Sequence, residues 1–399
     1  MTNKPNLRTR LGGLIPGAGD IAFNRDRDRS VPGSKAPRRG YEPAPYLDRE
    51  SRILVVPIEG PQFPEWGPGH RNFYYEAFQS ARERLGSDRV SFLDVGPAER
   101  PETWHRALVE AVHDGHITHI VTHAEHDPGS PESWTWDEVW NRLAPTWDGV
   151  LLGVMFDSAF DLVTMKARRL ARMSHNFVGV DICMPADGVL IRNRREVGPV
   201  TMPMSDESMK LLEQRLAGVT VEHDISFIGA LYPYRVRLID SLRAEGLDVA
   251  VNPHRPDITT DFITSRTNQP GWLDYMAGLA GSKMTVNFSR SSAGAWEQLK
   301  TRVIEATVAG TFLLTDDRDR TCLYFEPGVE YGYFQGPDHL ASVAARWLEA
   351  SSKRIEGAHG AQAKAQAIIK TDFWSRIDRG LAARGLPRTH VLSGEAAES

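Results

Sequence analysis

The sequence predicts an α/β protein built from two doubly wound parallel domains that face each other across a cleft. Three observations predict it. From Arg52 onward, short and continuously apolar runs alternate with helix-periodic segments, the pattern of parallel strands buried on both faces. The alternation loosens between Arg192 and Asp224 and then restarts at Ile225, so there are two such series. The length of 399 residues suits two, or at most three, domains with sizeable cores.

The first series opens with the strand ILVVPI after Arg52, a Gly/Pro loop EGPQFPEWGPGHRN and the helix FYYEAFQSARERLG. It continues as strand VSFLDVG, helix PETWHRALVEAVHDG, strand THIVTH, helix WTWDEVWNRLA, strand GVLLGVMFD, helix DLVTMKARRLARM and strand NFVGVDI. Strands and helices at this pace call for right-handed crossovers and one parallel sheet, so residues 46–195 read as a Rossmann-like domain. Residues 196–224 read as the interdomain connection, with one helix, MKLLEQRLAG. The second series covers 225–372: strand ISFIGA, helix RVRLIDSLRAEG, strand LDVAVN, helix PGWLDYMAGLAGS, then the unit from Gly281 to Leu314. A helical stretch from Asp338 follows, expected to break near Gly357 to Gly360, and residues 373–399 hold a last helix, FWSRIDRGLAARG, and a tail.

The unit GSKMTVNFSRSSAGAWEQLKTRVIEATVAGTFLL is a strand, a small-residue loop, a helix and a second strand. Its loop lies where open parallel sheets take ligands, at the carboxyl ends of the strands. Read as one helix over AWEQLKTRVIEATVAG, Leu299, Val303, Ala306 and Gly310 make a core stripe, and Glu297, Thr301 and Glu305 make a second stripe. A carboxylate near a helix N-terminus accepts hydrogen bonds from sugar hydroxyls. The loop N–H groups, the helix dipole, Lys300 and Arg302 suit a diphosphate. A nucleotide sugar carries both groups. The bland alternative makes Glu297 part of a solvated face, or a partner of Arg302. Glu305 lies deeper among apolar neighbours, where an unpaired carboxylate is costly.

Glu297 and Glu305 enclose seven residues, the E-x7-E spacing of GT-B glycosyltransferases. The string SKMTVNFS…EQLKTRVIEATVAGTFLLTD, with FEPGVEYGYF after it and DISFIGALYPYRVRLIDSL before it, resembles the C-terminal domain of the spore-maturation-type group. The resemblance spans about residues 222–380. It implies two Rossmann-like domains in the GT-B arrangement and a last helix crossing back onto the first domain. The implied activity is metal-independent transfer of a sugar from a UDP-, GDP- or TDP-linked donor to an acceptor hydroxyl, with no cofactor besides the donor.

Three residues compete for the base that takes the acceptor's proton. His70 follows Gly67 and Gly69 just before a helix and resembles the Gly-His of inverting GT-B enzymes; imidazole titrates near neutrality, and the alternative is a helix cap. Asp157 ends an apolar strand and resembles an aspartate of the spore-maturation group, with an N-cap as the equal alternative. His123 is similar in placement to a histidine that touches the donor sugar in glycogen-synthase-like relatives. In the second domain Gly229 and Arg235, in FIGALYPYR, fall at a strand end and a helix start, where Arg can hold a phosphate; Lys283 is a weaker candidate. His113, His116, His119, His123 and His126 run from a helix through a strand and would point apart, so they predict no metal site. Asp317 and Asp319 form a D-x-D too common, and too late in the chain, to predict one.

Composition narrows the partners. With 47 Lys/Arg against 52 Asp/Glu the net charge is −5, which excludes a nucleic-acid binder by bulk charge. Residues 1–45 nevertheless carry nine Lys/Arg and four Asp/Glu in a Gly/Pro-rich arm, so DNA stands among the conceivable acceptors beside a small molecule or a glycan. The GGLIPGAG within it has no strand before it and no helix after it, and reads as no nucleotide loop. Two cysteines without paired spacing, no apolar run of about 18 residues and no signal-peptide core predict a soluble cytoplasmic protein. Two rivals use the same cleft: a nucleotide-sugar 2-epimerase, whose Ser-Gly-Gly loop is here LLTDDRDR, and a sensor that binds nucleotide sugar without turnover.

Overall fold

The computed structural model describes residues 50–57, 65–94, 101–124, 139, 142–143, 145–156, 158, 161–174, 176–183, 196–253, 271–290 and 297–392. The basic arm and most of the helix WTWDEVWNRLA lie outside the described residues, as do Asp157 and His126.

The first lobe is a six-stranded parallel sheet in the order β2-β1-β3-β4-β5-β6. Its elements are β1 (Ile53–Val56), α1 (Phe73–Leu85), β2 (Val90–Phe92), α2 (Pro101–Asp114), β3 (His119–His123), β4 (Val150–Met155), α3 (Asp161–Met173), β5 (Phe177–Asp181) and β6 (Glu196–Val197). All residues of β1, β3, β4 and β5 are buried, because helices cover both faces and the strands need no polar alternation. Part of the segment expected as a connection joins this sheet: Glu196–Val197 pairs in parallel with β5. The remainder forms α4 (Asp206–Leu216), capped by the Ser205 hydroxyl.

The second lobe is a five-stranded parallel sheet in the order β11-β10-β9-β7-β8. It comprises β7 (His223–Phe227), α5 (Pro233–Ala244), β8 (Val249–Val251), α6 (Trp272–Ala280), β9 (Ser282–Asn287), α7 (Thr301–Val308), β10 (Phe312–Thr315), β11 (Tyr331–Tyr333), α8 (Pro337–Glu349) and α9 (Ser351–Ala382). Strand order reverses between β1 and β3 in one sheet and between β7 and β9 in the other. At such a reversal neighbouring loops part and leave a crevice at the carboxyl ends.

Two helical expectations need correction. The helix through AWEQLKTRVIEATVAG starts only at Thr301, with Lys300 as its N-cap. Glu297 instead forms an antiparallel bridge with Arg290, and Gln298 N donates to Ser289 O at 3.1 Å. Tertiary pairing to the segment after β9 overrides helix propensity there, so Glu297 and Glu305 do not share a helix face.

The break expected near Gly357 to Gly360 falls earlier, at Ala350, where ψ reaches 50° between α8 and α9. Gly357 sits inside α9 because the helix passes against the chain at Val329: a Cβ there would lie 2.1 Å from Val329 O. Close approach, not helix breaking, explains this glycine.

The last helix does cross back. Ala361, Ala365 and Ile369 of α9 pack in the second-lobe core, whereas Phe373, Trp374, Ile377 and Leu381 pack in the first-lobe core with Phe73, Ala77 and Val180. Trp374 Nε1 donates to Ser80 Oγ at 3.1 Å, and Asp372 accepts from Thr201 N at 2.9 Å. One continuous helix therefore fixes both lobes. Among the described residues no helix is long and apolar enough to cross a membrane.

Candidate functional site

The crevice is built from the loop after β1, helices α6 and α7, and the turn after β7. In that turn Gly229 takes φ +144°, and its N–H donates to Asn252 Oδ1 at 2.8 Å. A Cβ on Gly229 would lie 2.6 Å from Arg302 Nη2, so glycine lets the guanidinium close onto the turn. Arg302 also lies over the Phe227 ring at 5.2 Å.

One helical turn along α7, Glu305 is buried and accepts a 3.0 Å hydrogen bond from Tyr275 Oη on α6. The phenol is pushed up strongly, first by burial and then by the Glu305 charge, while Arg302 acts in the opposite direction. Tyr275 therefore stays a neutral donor. Its carboxylate partner Glu305 acts electrostatically on Arg71 of the other lobe, and Arg302 of its own lobe acts on the phenol itself.

Arg71 belongs to the loop that carries His70. Its guanidinium donates to Met202 O at 3.0 Å and to Pro203 O, and lies 5.9 Å over the Trp272 ring of α6. Beside it Glu76, fully buried, accepts from Ser205 N at 2.7 Å and Ser208 Oγ at 2.5 Å; burial raises its carboxyl and Arg71 opposes that rise. Burial lowers Arg71, and Glu76 and Glu305 resist it.

His70 is exposed, two residues before the helix cap. That cap is Asn72, whose Oδ1 accepts from Tyr74 N and Tyr75 N, so His70 has no capping duty. His123 ends β3, buried and stacked on Phe156 at 5.4 Å.

Several side chains expected to hold the donor are engaged elsewhere in the fold. Arg235 donates to Ala230 O at 3.0 Å, Arg290 O at 3.4 Å and Tyr234 Oη at 2.9 Å, enclosed by Tyr232, Tyr234, Phe227 and Phe288. It is a buried strut across the β7/β9 reversal, not an open fork for phosphate. Glu297 pairs with Arg318 at 2.9 Å, not with Arg302. Lys283 pairs with Asp224 at 2.6 Å and lies at the amino end of β9, away from the crevice. Lys300 caps α7 at the carboxyl side of the sheet.

The D-x-D carboxylates are likewise occupied. Asp317 accepts from Cys322 N at 3.0 Å, and Asp319 from Thr321 Oγ1 at 2.7 Å and Asn287 Nδ2 at 3.0 Å. Among the described residues no group of three or more His, Cys, Asp or Glu is placed to hold a metal. His119 is buried against Thr118 Oγ1 and Pro387 O, and burial lowers it to about 4.

Burial raises Asp319 to about 7. The folded state therefore keeps its proton above the ordinary carboxylate range, and its stabilising effect is lost as pH rises from about 4 to about 7. Asp319→Asn, which cannot ionise, is expected to gain about 2–3 kcal/mol relative to wild type between pH 5 and pH 8, since each unit between pH 5 and the folded value is worth about 1.4 kcal/mol. Urea unfolding of both proteins at the two pH values checks it; an equal difference at both would refute it.

Residues 236–376 match the family model described as glycosyl transferase-like. No curated protein matches the chain. Among solved structures the chain is similar to HepE from Anabaena in complex with UDP and glucose, at 13% identity over 84% of this chain and 100% of that one, with TM-score 0.49. It is also similar to sucrose-phosphate synthase from Thermosynechococcus elongatus, at 14% identity over 84% and 98%, TM-score 0.49. A glycosyltransferase from Rickettsia africae matches at 8% identity over 84% and 99%, TM-score 0.48. The glycosyl transferase-like match thus runs from α5 into the returning helix α9, and two parallel α/β sheets joined by that helix are the two-domain arrangement that the GT-B resemblance implies.

Proposed function

We propose that the protein moves a glycosyl group from a UDP-, GDP- or TDP-linked sugar to an acceptor hydroxyl, without a metal ion. The observation that carries this reading is the buried Glu305 on α7, held by Tyr275 and acting electrostatically on Arg71 of the first lobe. A carboxylate so placed accepts hydrogen bonds from ribose or sugar hydroxyls. Arg302 on the Gly229 turn, and Lys300 at the start of α7, offer positive charge to a diphosphate.

In the step itself the acceptor oxygen forms a bond to the anomeric carbon as the bond from that carbon to the diphosphate oxygen breaks. The acceptor proton passes to His70, and the diphosphate leaves with the bonding pair against Arg302, Lys300 and the α7 dipole. Gly229 lets Arg302 approach, and His123 lines the first-lobe side. Asp157, which lies outside the described residues, is the second candidate for the base. The acceptor is a small molecule, a glycan or DNA. Cys183 is buried and Cys322 exposed, so the two do not share a disulfide, which supports a cytoplasmic setting.

The test is titration of the full chain with UDP, GDP and TDP by calorimetry, followed by nucleoside diphosphate release from the matching sugars. Saturable binding of one nucleotide in preference to the others, with release from its sugar, is expected. No binding of any of the three would overturn the proposal, and binding without release would favour a sensor.

A further inference from the structure

We propose that Arg71 is a positioning residue that locks the His70 loop to the interdomain connection at Met202 and Pro203 and to the second lobe, in register with Glu305. This inference rests on the reading of His70 as the base.

The backbone at Arg71 is in the left-handed region, φ 59°, a conformation unfavourable for a residue with a Cβ. Its guanidinium supplies what holds it there. Two donors reach the carbonyls of Met202 and Pro203, the plane lies over Trp272, and the charge stands between Glu76 of the first lobe and Glu305 of the second. The Nε of Arg71 is buried without a hydrogen-bond partner among the described residues.

The residue on the other side of His70 is fastened as well. Gly69 N donates to Ser208 Oγ at 3.1 Å, and a Cβ at Gly69, whose φ is +77°, would lie 3.1 Å from Leu273 and 3.5 Å from Leu211. His70 is thus the exposed residue between two anchored neighbours, and their anchors lie on the interdomain connection with its helix α4, or on α6. Trp272 and Tyr275, three residues apart on α6, face Arg71 and Glu305 respectively, so a single helix registers the loop against the carboxylate. Lys at position 71 would keep the charge but not the planar fork that serves two carbonyls.

Amide hydrogen exchange of the unliganded full chain, together with UDP affinity and UDP release from UDP-glucose, tests the inference on Arg71→Ala and Arg71→Lys. Exchange at residues 66–72 is expected to accelerate at least about tenfold in the alanine variant and less in the lysine variant, with α2 and α3 unchanged. Glu305→Gln is expected to accelerate the same amides to a smaller degree. The kcat for UDP release should fall at least about tenfold in Arg71→Ala, with KM and UDP affinity within about twofold of wild type. Unchanged exchange at 66–72 in both Arg71 variants overturns the proposal, as does loss of UDP affinity in step with kcat. If the wild type releases no UDP, the transfer reading fails for that donor, and the exchange measurement still decides the role of Arg71.

Discussion

His70→Ala is expected to abolish transfer while leaving the donor site intact. The imidazole is exposed beside the β1/β3 reversal and has no capping duty, since Asn72 fills that role. Its removal leaves no buried cavity and breaks no lobe-to-lobe contact. General-base catalysis contributes about two to four powers of ten to rate, so kcat for transfer should drop by about 10²–10⁴. The nucleotide Kd should stay within about twofold, because Glu305 and Arg302 lie on α7 of the other lobe. Calorimetry with the nucleotide and a steady-state release assay read the two quantities separately. A wild-type rate in His70→Ala would pass the base to Asp157. A parallel loss of nucleotide affinity would mean instead that the His70 loop supports the donor site, which the separation of kcat from Kd is chosen to detect.

The two-lobed fold is legible in the sequence because each central strand is buried on both faces. ILVV, HIVTH, VLLGVM and FVGVD read as continuous apolar runs, since no face of those strands meets water. The carboxylate helix is half legible. Glu305 is where its apolar setting suggests, but Glu297 belongs to an extended bridge to Arg290 that helix periodicity cannot foresee. Arg235 misleads for a similar reason: a strand-end arginine reads the same whether it faces solvent or four aromatic rings and two carbonyls.

Arg71, Glu76 and Tyr275, which tie the crevice together, are the least legible of its residues. Arg71 meets Pro203 across 132 positions and Glu76 meets Ser208 across another 132, and Tyr275 meets Glu305 across 30. Local pattern carries no information at that range. One signal was available: Glu76 interrupts an otherwise apolar and aromatic stretch, FYYEAF, and a charge on a buried helix face must find a partner. That partner proves to be the start of α4, so the oddity marks the seam between lobes.

Glu305→Gln is expected to cost the donor site about 10–100-fold in affinity without unfolding the protein. A hydrogen bond to a charged acceptor is worth about 1.5–3 kcal/mol, and about 1.4 kcal/mol is tenfold in Kd. Gln keeps the volume, and its Oε1 still accepts from Tyr275, so the helix packing of Val303, Ile304 and Ala306 is preserved. Glu305→Ala should lose donor binding further but also stability, because the buried Tyr275 hydroxyl would lose its acceptor and Arg71 a carboxylate that sustains its charge. The glutamine variant therefore separates recognition from folding, and thermal unfolding confirms that separation. Comparing ligands then locates the contact. If Glu305 accepts from ribose hydroxyls, UDP and UDP-glucose lose affinity equally; if it accepts from the transferred sugar, UDP is spared and UDP-glucose alone weakens. Unchanged affinity for both would remove Glu305 from the site and leave its buried position as a link between lobes through Tyr275 and Arg71.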